Sequence, residues 1–287
     1  MLNGDSFSPA LEAKFQRLRE RLSGMQQVIV AFSGGVDSAL LLKTAADCLK
    51  DGVLAVTALS ETTSGEEEND ARQLAKSLGV SHLCIRSHEL QLAGFIKNDL
   101  DRCYVCKKYR YGHILDIARE HQIHWVLDGQ NQDDMSDYRP GSRAASELGI
   151  ISPFQEAGFS KPEIRELSRR LGLPTWSKPA AACLASRIPY GTIITAAKLR
   201  QVEMGEAFIR RLCVCRQVRL RHEGETARIE VDDTAISALV EPSVRDKLVD
   251  YFKSIGFKFV ALDLTGYRMG SLNPTFDDDS KGNAPAG

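Results

Sequence analysis

Ser33-Gly34-Gly35-Val36-Asp37-Ser38 is the stretch whose reading decides the fold. It follows a β-branched run at residues 27–32 and opens an apolar helical stretch at residues 39–49. Two glycines let the backbone turn tightly, so that several N–H groups face one anion. The helix start adds the positive end of its dipole, and the serine hydroxyls add donors. Two glycines alone would read as an ordinary turn capped by Ser38. The whole string between a strand and a helix reads as a phosphate loop. It lacks a Walker A lysine and does not match G-x-G-x-x-G.

Working outward, residues 9–24 carry Leu11, Phe15, Leu18 and Leu22 at helical spacing. Val53–Leu59 and residues 82–85 read as buried-type strands around a helix at 66–78. A polar stretch at 97–108 precedes a helix to about residue 120 and the strand Trp125–Leu127. Strands alternating with helices specify an α/β fold with a doubly wound parallel sheet. Ligands in such folds sit beyond the carboxyl ends of the strands. That rim makes Ser60 and the pair Asp128-Gly129 candidates for ligand contact.

A smaller α+β region begins near Pro189. It comprises a helix at Ala196–Leu212, strands at 214–221 and 227–231 joined around Glu223-Gly224, a helix at 242–255 and a last strand at 258–263. The expected domains are 1–188, 189–272 and a disordered tail, 273–287, rich in Asp, Gly and Pro. The linker at 178–191 is itself a candidate site.

Composition narrows the class. In 287 residues, 37 Lys+Arg oppose 38 Asp+Glu, a net charge of −1. That balance argues against nucleic-acid binding through global positive charge. The chain is 43% hydrophobic, enough for a sizeable core, yet has no apolar run near the roughly 18–20 residues that span a membrane. Residues 1–10 are polar and lack a signal-peptide core. Seven cysteines, an odd number and too few for a disulfide scaffold, point to reduced thiols and a cytoplasmic enzyme.

The cysteines sort by their neighbours. Cys48 and Cys84 read as core filler. Cys103 and Cys106, in Arg102-Cys103-Tyr104-Val105-Cys106-Lys107, form a C-x-x-C that fits a zinc half-site, a redox pair or two thiols packed on a helix; Arg102, Lys107 and Lys108 suggest a segment facing an anion. Cys183 lies in Lys178-Pro179-Ala180-Ala181-Ala182-Cys183-Leu184-Ala185-Ser186-Arg187. Its bracketing cations favour a reactive thiolate, and Ser186 with Arg187 suits a phosphate or carboxylate. On a strand at 214–221, period 2 puts Cys213, Cys215, Gln217, Arg219 and Arg221 on one face, with Arg216 misplaced among the apolar residues. Paired with the next strand, thiols, arginines and Glu230 would line one polar face.

The S-G-G-V-D-S string resembles the PP-loop of the ATP pyrophosphatase superfamily. The resemblance implies cleavage of ATP to AMP and pyrophosphate with Mg²⁺. Ser33, Gly34, Gly35, Val36, Asp37 and Ser38 would hold the nucleotide with Ser60 and Gly129, and Asp37 would serve catalysis by holding magnesium or orienting phosphates.

With R-C-Y-V-C-K, D-G-Q-N-Q-D-D-M-S-D-Y-R-P-G, K-P-A-A-A-C-L-A-S-R and the R-x-R strand added, residues 10–270 resemble the LarE family. Membership implies ATP-dependent sulfur transfer to pyridinium-3,5-biscarboxylic acid mononucleotide, for the nickel-pincer cofactor of lactate racemase. A carboxylate is adenylated and a cysteine thiolate displaces AMP. Cys183 matches the sulfur-bearing cysteine. In one branch that residue gives up its own sulfur and becomes dehydroalanine. In another, three cysteines hold a [4Fe-4S] cluster whose open iron carries sulfide; Cys183, Cys213 and Cys215 are the trio required, so the expectation is the cluster-dependent branch, with sacrificial transfer from Cys183 as the alternative. Ser186, Arg187, Arg219 and Arg221 become candidate substrate ligands, with Arg219 and Arg221 suited to its phosphate. Glu206 and Glu230 become candidates for a divalent metal. The 130–141 loop, with Asp133, Asp134 and Arg139, resembles the family's without defined roles.

The resemblance further implies a homo-oligomer acting on a small nucleotide, with a sulfide donor and without nucleic acid or membrane. A PP-loop tRNA thiolase is the nearest rival but would need a nucleic-acid module. A non-enzymatic metal-binding module would show no ATP–pyrophosphate exchange.

Overall fold

Val28, Ile29 and Val30 alternate between two apolar clusters, and this alternation is what places helices on both faces of the first sheet. A computed structural model of the chain describes residues 8–135, 140–179 and 182–268. It divides into two compact units, Met1–Ala181 and Ala182–Gly287.

The first unit holds a parallel sheet of β1 (Val28–Ala31), β2 (Val53–Leu59), β3 (Ser81–Arg86) and β4 (Trp125–Leu127), in the order β3-β2-β1-β4. Val28 pairs in register with Val53 on one side and Trp125 on the other. The chain steps outward from β1 through β2 to β3, then returns to the far side of β1 as β4. The reversal makes the carboxyl ends of β1 and β4 a topological switch point, where ligands bind in such sheets.

The helices of this unit are α1 (Pro9–Ser23), α2 (Val36–Leu49), α3 (Gly65–Ser77), α4 (Ala93–Ile96), α5 (Arg102–Glu120), α6 (Pro140–Glu147), α7 (Pro153–Ala157) and α8 (Lys161–Arg170). Leu18 and Leu22 of α1, Leu40–Leu42 of α2 and Ile164 and Leu167 of α8 share the core of Val28 and Val30. Tyr111, Ile114 and Ile117 of α5 cover Ile29, Val56 and Val126 on the other face. Each such fully buried aliphatic side chain is worth about 1.5–3 kcal/mol relative to exposure.

Two local readings shift. The helix after the phosphate loop begins at Val36, so Asp37 and Ser38 belong to its first turn. Helix α5 begins at Arg102, inside the stretch read as polar loop, and carries Cys103 and Cys106 on its first turns. Polar side chains at a helix start do not break the backbone ladder. Helices α6 to α8 were not assigned from the sequence, because each is short and α7 and α8 open on proline-containing first turns.

The second unit contains β5 (Val218–Glu223), β6 (Thr226–Val231) and β7 (Phe259–Leu262), with α9 (Ala196–Leu212), α10 (Asp233–Val240) and α11 (Pro242–Ser254). β5 and β6 form the expected hairpin, Arg219 opposite Glu230, and β7 adds parallel to β6. Val218, Leu220, Ala227, Ile229 and Val231 pack on Ile209 of α9 and Phe252 of α11. A Cβ on Gly205 would lie 2.4 Å from Leu220 Cδ2, so this glycine is what lets α9 approach β5.

The strand expected from residue 214 starts only at Val218. Arg216 and Gln217 donate their N–H groups to Asp232 Oδ1 at 2.9 and 3.1 Å, which holds this segment out of the ladder. Arg216 therefore does not interrupt an apolar strand face, and Val214 is 98% exposed. The second unit also starts earlier than the boundary expected after 188. Arg187 pairs with Glu206 and Arg221 bonds Ser186, drawing residues 182–188 into it. The tail at 273–287 lies outside the described residues. Among those, no helix is long and apolar enough to cross a membrane.

Candidate active site

The phosphate loop leaves β1 with Gly34 at φ +71°, a left-handed conformation natural to glycine. A Cβ there would also stand 3.2 Å from the Ala71 backbone of α3. Ser33 N–H donates to Ser38 Oγ at 3.3 Å, and Ser38 Oγ donates to Gly35 O at 3.2 Å, tying the loop across itself. Gly35 at the N-cap offers no side-chain acceptor. The leading N–H groups of α2 thus have no intrahelical acceptor, the condition for binding an anion.

Gly129 closes the same edge. A Cβ on it would come within 2.9 Å of Ser38 N and 3.1 Å of Asp37 Cβ, so the end of β4 abuts the first turn of α2. Asp128 is buried and anchors this corner, accepting from Tyr111 Oη at 2.6 Å and Ser152 Oγ at 2.7 Å. Burial, followed by the Asp128 charge, pushes the Tyr111 phenol well up, so it remains a donor. Ser60 follows β2, the neighbour of β1 in register, and is thus on the same edge.

One residue at this corner escaped the sequence reading. Lys161, at the start of α8, places Nζ on Asp37 Oδ2, while Asn131 Nδ2 donates to Asp37 Oδ1 at 3.2 Å. A lysine 124 residues away thus brings to the loop the cation that a Walker lysine provides locally. The signal was present as a lysine beside Pro162 at a helix start, but nothing local connects it to Asp37. Asp133 and Asp134 now have contacts: Asp133 Oδ2 accepts Lys161 N–H at 2.7 Å, and Asp134 Oδ2 accepts Asn131 N–H at 3.0 Å. Arg139 lies outside the described residues.

The C-x-x-C is split by environment. Cys103 is exposed, whereas Cys106 is half-buried with Sγ 3.9 Å from Glu89 Oε1. The flanking cations meet protein partners: Lys108 bonds Glu147 Oε2 at 2.9 Å and Tyr104 Oη at 2.7 Å, and Arg102 bonds Asn98.

In the second unit, Cys183 is exposed at the N-cap of a short 3-10 turn, Leu184–Arg187. The Arg187 guanidinium is nearly buried. It donates Nη1 to the carbonyls of Ala182 and Cys183, and Nε and Nη2 to Glu206 at 2.7 and 2.9 Å. Arg187 therefore braces the cysteine loop from behind. Arg221 forms the same fork with Glu230, at 3.0 and 2.7 Å, and donates Nη1 to Ser186 O at 3.0 Å. Arg219 lies between these pairs, under the Tyr267 ring at 5.1 Å. Burial and then the Arg187 charge lower its pKa.

Glu206 and Glu230, expected as ligands of a divalent metal, hold arginines here. Burial alone would raise the Glu206 pKa, but the Arg187 charge and hydrogen bonds outweigh it and keep it low. Glu230 accepts also from Arg228 Nη1 at 2.8 Å.

Cys213 Sγ donates to the Ile209 carbonyl at 3.6 Å, and Cys213 and Cys215 pack against the apolar core of this unit instead of continuing the arginine face. Burial, then the neighbouring Cys213, pushes the Cys215 thiol up to about 12. Among the described residues, no group of three or more His, Cys, Asp or Glu side chains is gathered as a metal site.

Comparison with known proteins agrees with this geometry. The PP-loop domain family matches residues 7–139. Pyridinium-3,5-bisthiocarboxylic acid mononucleotide synthase of Lactiplantibacillus plantarum is 40% identical over 266 residues, covering 92% of this chain and 95% of its own. An uncharacterized protein of Synechocystis sp. is 41% identical over 92% of this chain and 98% of its own. Another, from Methanocaldococcus jannaschii, is 30% identical over 88% and 94%. An open helix start walled by Gly34 and Gly129, the PP-loop match and similarity to that synthase over 92% of the chain lead to one assignment: the chain belongs to the LarE family of PP-loop sulfurtransferases.

Proposed function

We propose that this protein uses ATP to convert a carboxylate of pyridinium-3,5-biscarboxylic acid mononucleotide to a thiocarboxylate. The observation that carries the reading is the exposed Cys183 held by Arg187, in a chain whose other unit carries an open PP-loop. In the first step a substrate carboxylate oxygen attacks the α-phosphorus of ATP, and pyrophosphate leaves. The amide groups at the start of α2 and the Lys161 ammonium stabilise the charge that accumulates on it. Asp37, between Lys161 and Asn131, is the residue placed to hold magnesium, which when bound offsets phosphate charge. In the second step the Cys183 thiolate attacks the acyl carbon and expels AMP, leaving a thioester. Arg219, against the Tyr267 ring, is the candidate donor for the substrate phosphate, while Arg221, forked onto Glu230 and bonded to Ser186 O, supports the strand and the cysteine loop.

The source of sulfur is the finer point. Three thiolates are the correct donors for a [4Fe-4S] cluster, and the packing of Cys213 and Cys215 on one apolar core favours that reading. When bound, such a cluster supplies an iron site for exogenous sulfide. Among the described residues Cys183 is not gathered with Cys213 and Cys215, so the residues as arranged do not form a ready cluster site. No step above passes through it. The exposure of Cys183 favours the second reading, in which that cysteine gives its own sulfur.

One experiment tests both: ATP–pyrophosphate exchange dependent on the pyridinium substrate, followed by iron analysis and intact mass after a single turnover of anaerobically reconstituted protein. Exchange in Cys183→Ala with no thiocarboxylate formed is expected. Full cluster assembly in Cys213→Ala/Cys215→Ala would end the cluster reading. Loss of one H₂S per chain would establish the sacrificial one. Absence of exchange in the wild-type chain would overturn the whole proposal.

A further inference from the structure

Glu89 is fully buried just after β3, in the 3-10 turn Glu89–Gln91, and the chemistry above makes no use of it. Its Oε1 accepts from Ser87 Oγ at 2.7 Å and from Arg110 Nε, while Oε2 is buried without a hydrogen-bond partner. An ionised group so placed is costly, and a fold that retains one commonly uses it to hold something. What Glu89 holds is the fork of Arg110, which crosses from α5 to the end of β2. There Nη2 donates to Ser60 Oγ at 3.0 Å and to Thr62 Oγ1 at 2.9 Å.

These two acceptors belong to the turn from β2 into α3. Thr62 N–H bonds Ser60 Oγ at 3.2 Å, Thr63 N–H bonds Ser60 O at 3.0 Å, and Ser64 caps α3 by accepting Glu67 N–H at 3.2 Å. Helix α3 in turn presents Ala71 to Gly34 of the phosphate loop, with a Cβ-to-Cα separation of only 3.2 Å for any side chain placed at Gly34. Ser87 N–H bonds Leu59 O at 2.8 Å, tying the origin of Glu89 to the same strand end. The chain Glu89, Arg110, Ser60/Thr62, α3 and Ala71 therefore ends at the wall of the nucleotide loop. The planar guanidinium keeps Nε on Glu89 while Nη2 bonds both hydroxyls of the turn, so one rigid group spans carboxylate and turn; a lysine ammonium offers all its donors from a single nitrogen and does not span the two.

We propose that Arg110, oriented by the buried Glu89, is a positioning residue for ATP: it sets the β2–α3 turn and, through α3, the width of the phosphate loop. The inference rests on the reading of this strand edge as the ATP site. Cys106, with Sγ 3.9 Å from Glu89 Oε1, packs on the same assembly.

The test is substrate-dependent pyrophosphate release by the full chain with Arg110→Met and Arg110→Lys, each also in a Ser60→Ala/Thr62→Val background. Arg110→Met is expected to raise the KM for ATP roughly tenfold, leaving kcat and the KM of the pyridinium substrate within about threefold. Arg110→Lys keeps the charge without the fork and is expected not to restore the KM. In the background lacking both hydroxyls, Arg110→Met is expected to change the KM less than about twofold, because the coupled partners are already gone. An unchanged KM for ATP in an active Arg110→Met protein overturns the proposal. So does an equal effect in both backgrounds, or a fall in kcat at constant KM with a lower unfolding midpoint. If Arg110→Met does not fold, Arg110→Lys carries the same comparison. A wild-type chain without pyrophosphate release overturns the reading of the site and this proposal with it; a wild-type chain that has it, beside an Arg110 variant of normal KM, overturns this proposal alone.

Discussion

The two units build their sites from different materials. The first offers backbone: amide groups at the start of α2, exposed by a left-handed Gly34 and closed off by Gly129. The second offers side chains: Arg187 and Arg221, buried and forked onto Glu206 and Glu230, with Arg219 between. A backbone site fails when a Cβ fills it. A site of buried ion pairs fails when one partner is removed and the other is left charged.

That contrast predicts where each unit breaks. Glu206→Ala leaves the Arg187 guanidinium buried without its carboxylate, and is expected to destabilise the second unit by about 3–5 kcal/mol. Denaturant unfolding measures this, with ATP binding by the first unit preserved as the control. A loss under 1 kcal/mol would mean that solvent readily reaches the Arg187 guanidinium. Gly129→Ala acts on the other unit. It is expected to lower pyrophosphate release about a hundredfold, roughly 2.7 kcal/mol in the barrier, with the second unit's unfolding unchanged. Activity within threefold of wild type would show that the edge of β4 can withdraw from Ser38.

The thiols sharpen the comparison within the second unit. With Cys215 raised to about 12, iodoacetamide at pH 8 is expected to label it at least tenfold more slowly than the exposed Cys183, as read by peptide mass mapping. Equal rates would place both thiols in open, polar surroundings, contrary to the packing of Cys215 on the apolar core.

Acid gives the smallest effect. Glu206 is held below its ordinary value because Arg187 outweighs the burial penalty. A depressed carboxylate contributes stability that is present above about pH 4.5, the ordinary value, and is lost as pH falls through the lower folded value. Unfolding free energy of the wild-type chain should therefore fall below about pH 5, with a shallower slope in Glu206→Gln. Identical slopes would show that Glu206 titrates alike folded and unfolded.

Legibility in the sequence follows the same division. The phosphate loop, all four parallel strands and the β5–β6 hairpin could be read because glycine spacing and apolar periodicity are local. The start of β5 could not, because Asp232, sixteen residues on from Arg216, takes the amide groups that a strand would have used. Cys213 and Cys215 consequently turn onto the apolar core, and the polar face shared with Arg219 and Arg221 does not form. Glu206 and Glu230 read as possible metal ligands because a carboxylate's partner is invisible along the chain.

By itself the sequence determined the sheet, the loop for phosphate and the cysteine proposed to carry the chemistry, since each depends on residues within one strand–turn–helix unit or one short motif. Tertiary structure alone decided that Lys161 meets Asp37, that Arg187 leans on Glu206 and that Arg110 reaches Ser60 and Thr62. Those pairings join charges and donors across 19 to 124 residues. Which partner a buried charge finds is set by packing and desolvation, quantities that exist only once the chain has folded.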